Sequence, residues 1–299
     1  MTTTRVAVPR KGRPLEAVLE RLAARTGTTE LADEIISTLR YEKDLTKGNQ
    51  DADDHVYHRL ADYSELDDPT RPEFTLLRDD RDGMPRRVVF DSVTVPTDRG
   101  DVQLIGREEP FRALRTHEFA LGFDSADLVL EEVVELQDDP LRTIGEINDR
   151  IDPLDTDVRV VTGLGDTVYH TLLATPTVAD SQDRPLDRAF VRQYAGELCI
   201  SPRYERLIEA VLGTAALDDI TFTYPENGQE EEEAAIAETG LGVYLTVTGS
   251  TARDNGLVLG EQLFPSETVL LENSSERTPA TEGVAELFAE PEATALQSI

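Results

Sequence analysis

The sequence predicts an α/β fold, and two patterns carry this prediction. Near the start, the apolar run Val6–Val8 is followed by a basic loop with Gly12 and then by apolar residues at helical spacing from Leu15 to Leu22. The same alternation of strand and helix signals returns in the second half of the chain, from Leu198 onward. The length of 299 residues favours two domains, at ~150 residues each.

The elements follow in chain order from apolar runs, helix starts and glycine or proline breaks. After the first strand and helix, the predicted strands of the first half lie at Val88–Phe90, Val102–Ile105, Val158–Gly163 and Val168–Pro176, with a helix within Glu109–Phe119. The second half has strands at Leu198–Ile200, Ile220–Tyr224 and Val243–Thr248, helices at Ser201–Gly213 and Glu230–Thr239, and an apolar return strand at Leu263–Asn273. A short helix is predicted in the acidic tail after Asn273. Residues from about 41 to 98 begin with a stretch rich in Asp, Pro and Arg, and we interpret this region as an exposed acidic insert.

The charge of the chain excludes several classes of partner. With 60 acidic and 29 basic residues, the formal charge is -31, which repels both phosphate backbones and anionic lipid headgroups. We therefore expect neither nucleic-acid nor membrane binding. No apolar run approaches the ~18 residues of a membrane span, and the N-terminus has no apolar signal core, so we expect a cytoplasmic protein. The acids are dispersed between apolar runs and only three residues are lysines, a composition typical of halophiles that accumulate salt.

The segment Val247–Leu257 is the most informative one. A predicted strand leads into a turn with the residues Thr248, Gly249, Ser250 and Thr251, and a helix start follows. Backbone N–H groups and hydroxyls at such a turn can cradle a phosphate without any net positive charge. The alternative is an ordinary turn rich in Ser and Thr.

A second candidate is the basic run Arg10-Lys11-Gly12-Arg13 after the first strand. Ligands of open α/β sheets bind at the carboxyl ends of strands, so these cations could hold an anionic leaving group. The alternative is a positive patch without a ligand.

Other residue types give weaker signals. His55 and His58, close to several aspartates, could bind a metal, but a solvated surface is the simpler interpretation. Cys199, the single cysteine, excludes an intramolecular disulfide and is expected to be buried. For His117 and His170 we expect structural roles.

These segments together resemble a known family. RVAVPRKGRPLEAVLERL is similar to the opening of the ATP phosphoribosyltransferases of histidine biosynthesis, in which a strand is followed by P-K-G-R and a helix. VTGSTARDNGLVLGEQLFPSETVLLEN resembles their phosphoribosyl-binding signature, T-G-x-T followed by R-x-N-G-L and a return strand. Weaker similarity covers most of the remaining chain in the same order, except the region near 41–98.

The resemblance implies a two-lobed fold like that of type II periplasmic binding proteins, with a ligand cleft between two α/β lobes. The first lobe would comprise residues 1–172 and 274–299, with the acidic insert at about 41–98, and the second lobe residues 173–273. ATP and phosphoribosyl diphosphate would be the small-molecule ligands and Mg²⁺ the cofactor, while a homo-oligomer is left open. The metal-binding residues stay unassigned.

The family also implies roles for individual residues. Lys11 and Arg13 would act catalytically, facing the departing diphosphate or the nucleotide phosphates. The 5′-phosphate of the ribose would be held by a set of loop residues, namely Thr248, Gly249, Ser250, Thr251, Arg253 and Asn255.

The sequence also departs from the family pattern. Gly240 and Tyr244 stand where acidic residues usually serve the ribose hydroxyls and magnesium, and Ala120 and Ser125 replace an Asp and a Gly of the motif D-L-G-I-x-G-x-D. The alternative function is therefore a non-catalytic homologue that binds phosphoribosyl diphosphate or a nucleotide as a regulatory or binding protein.

Overall fold

The fold was obtained as a computed structural model. It describes residues 3–78, 86–225 and 232–289. The strands in these ranges are β1 (Thr3–Pro9), β2 (Glu73–Leu77), β3 (Arg87–Thr97), β4 (Gly100–Arg107), β5 (Leu121–Ser125), β6 (Val158–Gly163), β7 (Val168–Ala174), β8 (Gly196–Cys199), β9 (Ile220–Thr223), β10 (Leu241–Thr246), β11 (Val258–Ser266) and β12 (Thr268–Asn273). The helices are α1 (Arg13–Thr26), α2 (Thr29–Lys47), α3 (Val56–Tyr63), α4 (Pro110–Arg115), α5 (Ala126–Val133), α6 (Pro176–Ala179), α7 (Arg188–Val191), α8 (Glu205–Leu212), α9 (Glu232–Thr239), α10 (Ser250–Asp254) and α11 (Pro279–Ala289). The prediction of an α/β fold is confirmed.

The chain divides into two compact units. Unit 1 takes its residues from Met1–Asp124, Asp157–Leu164 and Thr268–Ile299, and unit 2 from Ser125–Thr156 and Gly165–Glu267. This division differs from the predicted lobes, which placed residues 125–156 and 165–172 in the first lobe and 268–273 in the second. The chain crosses between the units four times, whereas the resemblance implied two crossings.

Unit 1 is built on a seven-stranded sheet with the order β2-β3-β4-β1-β5-β12-β6. β1 lies parallel to both β4 and β5, and its residues Val6, Ala7 and Val8 are fully buried, as expected for an interior parallel strand that is covered on both faces. The amphipathic helix α1 contributes its apolar face to the core of this unit, and α11 adds Phe288, whose ring packs edge-on against Phe123 at 4.7 Å.

The region 41–98 is folded over most of its length, contrary to the predicted exposed insert. It contains the end of α2, then α3, β2 and β3, and it contributes buried side chains such as Phe74 and Phe90 to the core of unit 1. The polar composition of this region led to the wrong prediction, because only a few apolar residues are needed to form its buried face. One residue of that region, Glu42, is a buried acid, and it forms an ion pair with Arg59. Residues 79–85 of the predicted insert lie outside the described residues.

Unit 2 is built on a five-stranded sheet with the order β11-β7-β10-β8-β9. β10 is antiparallel to β7 and parallel to β8, so it occupies the middle of the sheet. Gly242 of β10 allows close packing here, because a Cβ atom at this position would lie 2.5 Å from Ile236 Cγ1 of α9 and 2.7 Å from the carbonyl oxygen of Cys199. The strand before the Thr/Ser-rich turn is thereby held between α9 and β8.

The predicted return strand at Leu263–Asn273 is two strands in different sheets. β11 pairs with β7 in unit 2, and β12 pairs with β6 in unit 1, with Glu267 between them. The apolar run is continuous in sequence, so nothing in its periodicity marks the change of sheet.

None of the described helices combines the length and the apolar character that a membrane span requires.

Candidate functional site

The basic run predicted to hold anions forms the turn between β1 and α1 in unit 1. Arg10 fixes this turn, because its Nε donates a hydrogen bond to the carbonyl oxygen of Gly106 (3.1 Å) and its own carbonyl oxygen accepts one from the N–H of Phe90 (3.0 Å). Gly12 immediately precedes α1 with φ of 83°, a conformation that favours glycine. The turn therefore has a defined shape, and it carries Lys11 and Arg13 at its end.

Lys11 and Arg13 share one cleft of about 440 Å³ within unit 1. The basic cleft, as we name it, has eleven lining residues, which are Lys11, Gly12, Arg13, Glu16, Leu39, Arg40, Lys43, Asp44, Lys47, Arg87 and Val88. Six of these side chains are cationic and two are carboxylates, which gives a local formal charge of four positive in a chain of -31. The structure thus brings both predicted catalytic residues into one cationic cleft.

Ion pairs already use part of this charge. Arg40 binds Glu16 through two hydrogen bonds, Nη2 to Oε2 at 2.6 Å and Nε to Oε1 at 3.3 Å, and links α2 to α1. Lys11 Nζ lies 3.7 Å from Glu108 Oε2, a looser and partly exposed contact. Exposed pairs of this kind contribute ~0–1 kcal/mol, so Lys11 remains available to an anionic ligand.

The predicted phosphate cradle lies in unit 2 between β10 and α10. Thr248, Ser250 and Thr251 are exposed, whereas Gly249 is buried beneath them. Gly249 has φ of 68°, and a Cβ atom there would lie 2.2 Å from Leu259 Cδ2. No other residue type fits this position without strain, so the glycine determines the shape of the turn.

Arg253 and Asn255 are brought to the same loop and bind its backbone. Arg253 Nη1 donates to the carbonyl oxygen of Thr248 (2.9 Å), and Asn255 Nδ2 donates to the carbonyl oxygen of Thr251 (3.0 Å). The hydroxyls of Thr248 and Ser250 lie 3.2 Å apart. All six predicted loop residues therefore belong to one turn, in which Arg253 and Asn255 hold the backbone and the hydroxyls face solvent.

Comparison with known proteins assigns the chain to a family. A family model described as halobacterial ATP phosphoribosyltransferase matches residues 1–299. The chain belongs to this family. A search of curated proteins gives no relative of significant sequence similarity.

Several solved structures are similar over most of this chain. One is the ATP phosphoribosyl transferase (HisG:HisZ) complex from Thermotoga maritima, with 13% identity, a TM-score of 0.43, and coverage of 95% of this chain and 93% of that one. YhfZ from Shigella flexneri has 9% identity and a TM-score of 0.44 and covers 97% and 85%. The periplasmic VFT2 domain of BvgS from Bordetella pertussis has 11% identity and a TM-score of 0.37 and covers 97% and 88%.

The two positions that depart from the ATP phosphoribosyltransferase pattern lie on and beside β10. Gly240 has φ of 102°, and Tyr244 is a half-buried strand residue whose hydroxyl forms a hydrogen bond with Glu232 of α9. Burial and this carboxylate raise the pKa of Tyr244 above its usual value, so it stays a neutral phenol at physiological pH. Neither position offers a carboxylate for the ribose hydroxyls or for magnesium.

The implied magnesium has no ready-made protein site in the part of the chain that the structure describes. There, no group of three or more His, Cys, Asp or Glu side chains is arranged to hold a metal ion. His55, one of the two histidines considered as metal ligands, accepts a hydrogen bond from the N–H of Tyr57 (3.4 Å) at the start of α3. This is a local contact within the helix start. The residues at 240 and 244 therefore do not fit the metal-binding role that the family resemblance implies.

The remaining titratable candidates contact other residues of the chain or are buried. Cys199 is buried, as predicted. His170 Nε2 lies 3.2 Å from Asp127 Oδ1, and Ser266 Oγ donates to Asp127 Oδ2 at 2.8 Å, with all three side chains buried. Because the carboxylate lies between the serine and the histidine, the histidine cannot take a proton from the serine as in a hydrolase. His117 Nδ1 lies 3.0 Å from Glu276 Oε1.

The sequence analysis missed four cations of the basic cleft, namely Arg40, Lys43, Lys47 and Arg87. They lie on α2 and β3, within or next to the region taken for an exposed insert. The lysine count carried a usable signal, because Lys11, Lys43 and Lys47 are the three lysines of the whole sequence.

Proposed function

We propose that the chain is an active ATP phosphoribosyltransferase, which joins N1 of ATP to the anomeric carbon of phosphoribosyl diphosphate. The observation that carries this proposal is the match of the family model to the whole chain. In the reaction, the bond between the anomeric carbon and the diphosphate oxygen breaks with its electrons leaving on diphosphate, and a bond from the same carbon to N1 of ATP forms. Such a displacement requires positioning and charge stabilisation more than a strong base.

The basic cleft supports the part of this reaction that needs positive charge. Lys11 and Arg13 stabilise the negative charge that develops on the departing diphosphate, and the surrounding cations offset the acidic field of the chain. The loop residues Ser250 and Thr251 bind the 5′-phosphate through their hydroxyls. Mg²⁺ would bind chiefly to the phosphate oxygens of the substrates.

The alternative is a non-catalytic homologue that binds phosphoribosyl diphosphate or a nucleotide. Gly240 and Tyr244 favour this alternative, because they remove two carboxylates that the family uses for the ribose. A cytoplasmic location remains a prediction for either function, and the oligomeric state is left open.

The test is formation of phosphoribosyl-ATP, measured by mass spectrometry after incubation with ATP, phosphoribosyl diphosphate and Mg²⁺ in about 1 M KCl. The wild-type chain should form product, and Lys11→Ala should reduce kcat/KM by about a hundredfold, because one charge-stabilising group is lost. Glu108→Gln is the matched control, since it breaks the Lys11 ion pair and keeps the lysine. It should leave the rate within about twofold of the wild type.

Absence of product from the wild-type chain, together with a rise in melting temperature on adding phosphoribosyl diphosphate, would support the non-catalytic alternative. An equal loss of activity in both variants would assign Lys11 a structural role through Glu108.

A further inference from the structure

The lysines of this chain are concentrated in one place. The sequence has 26 arginines and three lysines, and all three lysines line the basic cleft of unit 1. Arginine forms the ion pairs that hold α2, with Arg40 on Glu16 and Arg59 on Glu42. Lysine carries a compact charge with three donors and is a common ligand of phosphate oxygens, so its confinement to this cleft points to a role in binding.

Lys43 and Lys47 take no part in the ion pairs that hold α2. Both side chains are exposed, and no carboxylate of the described residues lies within 4.0 Å of either ammonium group. They stand four residues apart on α2, one above the other on the same side of the helix. Like charges at this spacing repel each other, whereas Lys47 in the last turn of α2 interacts favourably with the helix dipole, so the two effects on the stability of α2 oppose each other.

The helix that carries these lysines is held firmly. Glu42, next to Lys43, is buried and accepts two hydrogen bonds from Arg59 (2.7 and 2.9 Å) and one from the hydroxyl of Tyr63 (3.0 Å). On the same helix, Arg40 is tied to Glu16 of α1. The lysines are therefore presented to the cleft from a fixed backbone, which limits the cost of ordering them around a ligand.

We propose that the basic cleft binds the phosphate chain of a diphosphate or of a nucleoside triphosphate, with Lys43 and Lys47 of α2 as positioning residues beside Lys11. The choice of these ligands rests on the proposed function. A volume of about 440 Å³ lies within the range of sites that hold small molecules, ~300–1,000 Å³. A local charge of four positive is opposite in sign to such a chain, whereas the acidic surface as a whole repels it.

The test is calorimetric titration of the full chain with inorganic diphosphate and, separately, with ATP, in about 1 M KCl. Lys43→Gln with Lys47→Gln should weaken binding of at least one ligand about tenfold, with little change in the melting temperature, because relief of the repulsion within α2 offsets the loss of a favourable charge in its last turn. The double replacement by arginine should retain most of the affinity. Arg142→Gln with Arg192→Gln removes two exposed charges from unit 2 and should leave the affinity unchanged.

The two ligands separate the two sources of the phosphate chain. If the glutamine variant binds only diphosphate more weakly, the cleft holds the leaving group. If it binds only ATP more weakly, the cleft holds the phosphate chain of the nucleotide. Unchanged affinity in the glutamine variant, equal weakening in the unit 2 control, or no binding of either ligand to the wild type would overturn the inference.

The same variants distinguish this inference from the proposed function. If the wild type forms no phosphoribosyl-ATP but the glutamine variant binds diphosphate or ATP more weakly than the wild type does, the cleft assignment is supported and the proposed activity is wrong. If the wild type forms product and the glutamine variant keeps its kcat/KM, the activity stands and the cleft assignment fails.

Discussion

The basic cleft of unit 1 and the Thr/Ser-rich loop of unit 2, the two proposed anion sites, are built in opposite ways. The cleft relies on side-chain charge, collected from α1, α2 and β3. The loop relies on backbone shape, which is set by Gly249 and held by Arg253 and Asn255. The comparison teaches that a chain with 60 acidic residues can offer a phosphate either a local excess of cations or a neutral set of N–H and hydroxyl donors.

The cleft should depend on how α2 is anchored. Glu42→Gln leaves the largely buried guanidinium of Arg59 without its counter-charge and should lower the free energy of unfolding by about 3 kcal/mol. It should also weaken diphosphate binding while leaving ribose 5-phosphate binding unchanged. Glu16→Gln is the control for stability alone, because it breaks a more exposed pair that links α1 to α2 and should cost less than ~1 kcal/mol. Chemical unfolding and calorimetry measure both effects, and equal costs for the two variants would contradict the account.

The loop should depend on one glycine. Gly249→Ala places a Cβ atom against Leu259 in a left-handed conformation and should cost about 2 kcal/mol, with loss of ribose 5-phosphate affinity. Gly256→Ala is the matched control, since its φ of 72° is similar but nothing lies within 4 Å of the added atom. It should cost about 1 kcal/mol and leave the affinity unchanged.

Adding Leu259→Ala to Gly249→Ala should restore part of the ribose 5-phosphate affinity, because it removes the atoms that the new Cβ meets. Failure of this rescue would mean that the backbone conformation alone, and not the packing against Leu259, determines the cradle.

The smallest predicted effect concerns alkaline pH in unit 1. Burial and the hydrogen bond to Glu42 raise the pKa of Tyr63 to about 12, from an unfolded value near 10.0. The folded state keeps the proton that the unfolded state releases, so this contribution is complete below pH 10 and is lost as the pH rises to about 12. Tyr63→Phe should therefore flatten the fall in unfolding free energy over that interval, and Tyr57→Phe, which removes an exposed tyrosine of the same helix, should leave it unchanged. Identical pH profiles for the two variants would contradict this assignment.

The sequence predicted the loop better than the cleft for a physical reason. The loop is continuous in the chain, so Gly249 and its neighbouring hydroxyls were visible as one motif between a strand and a helix start. The cleft joins Lys11 to Lys43 and Lys47, which are separated by an entire helix and come together only through packing of α2 on unit 1. Charge composition marked the lysines as rare but gave no information about their positions in space.

The fold was predictable where signals were local. β1, α1 and β6 follow from apolar spacing and from glycine or proline at their ends. The region 41–98 was misinterpreted because its polar residues face solvent on α3 and β2, while its few apolar residues and the buried Glu42 form a real core face. The change of sheet at Glu267 depends on pairing with strands far away in sequence, which periodicity does not encode.

The most direct test of the account is a crossed binding measurement in about 1 M KCl. Inorganic diphosphate, ATP and ribose 5-phosphate are titrated separately into the wild type, into Lys43→Gln with Lys47→Gln, and into Ser250→Val with Thr251→Val. The account predicts that the lysine variant loses affinity for diphosphate, for ATP or for both but not for ribose 5-phosphate, and that the loop variant loses affinity for ribose 5-phosphate, each by about tenfold. If the lysine variant weakened ribose 5-phosphate as much as diphosphate and ATP, or if either variant left the affinity for its own ligand unchanged, the assignment of different ligands to the cleft and the loop would be wrong.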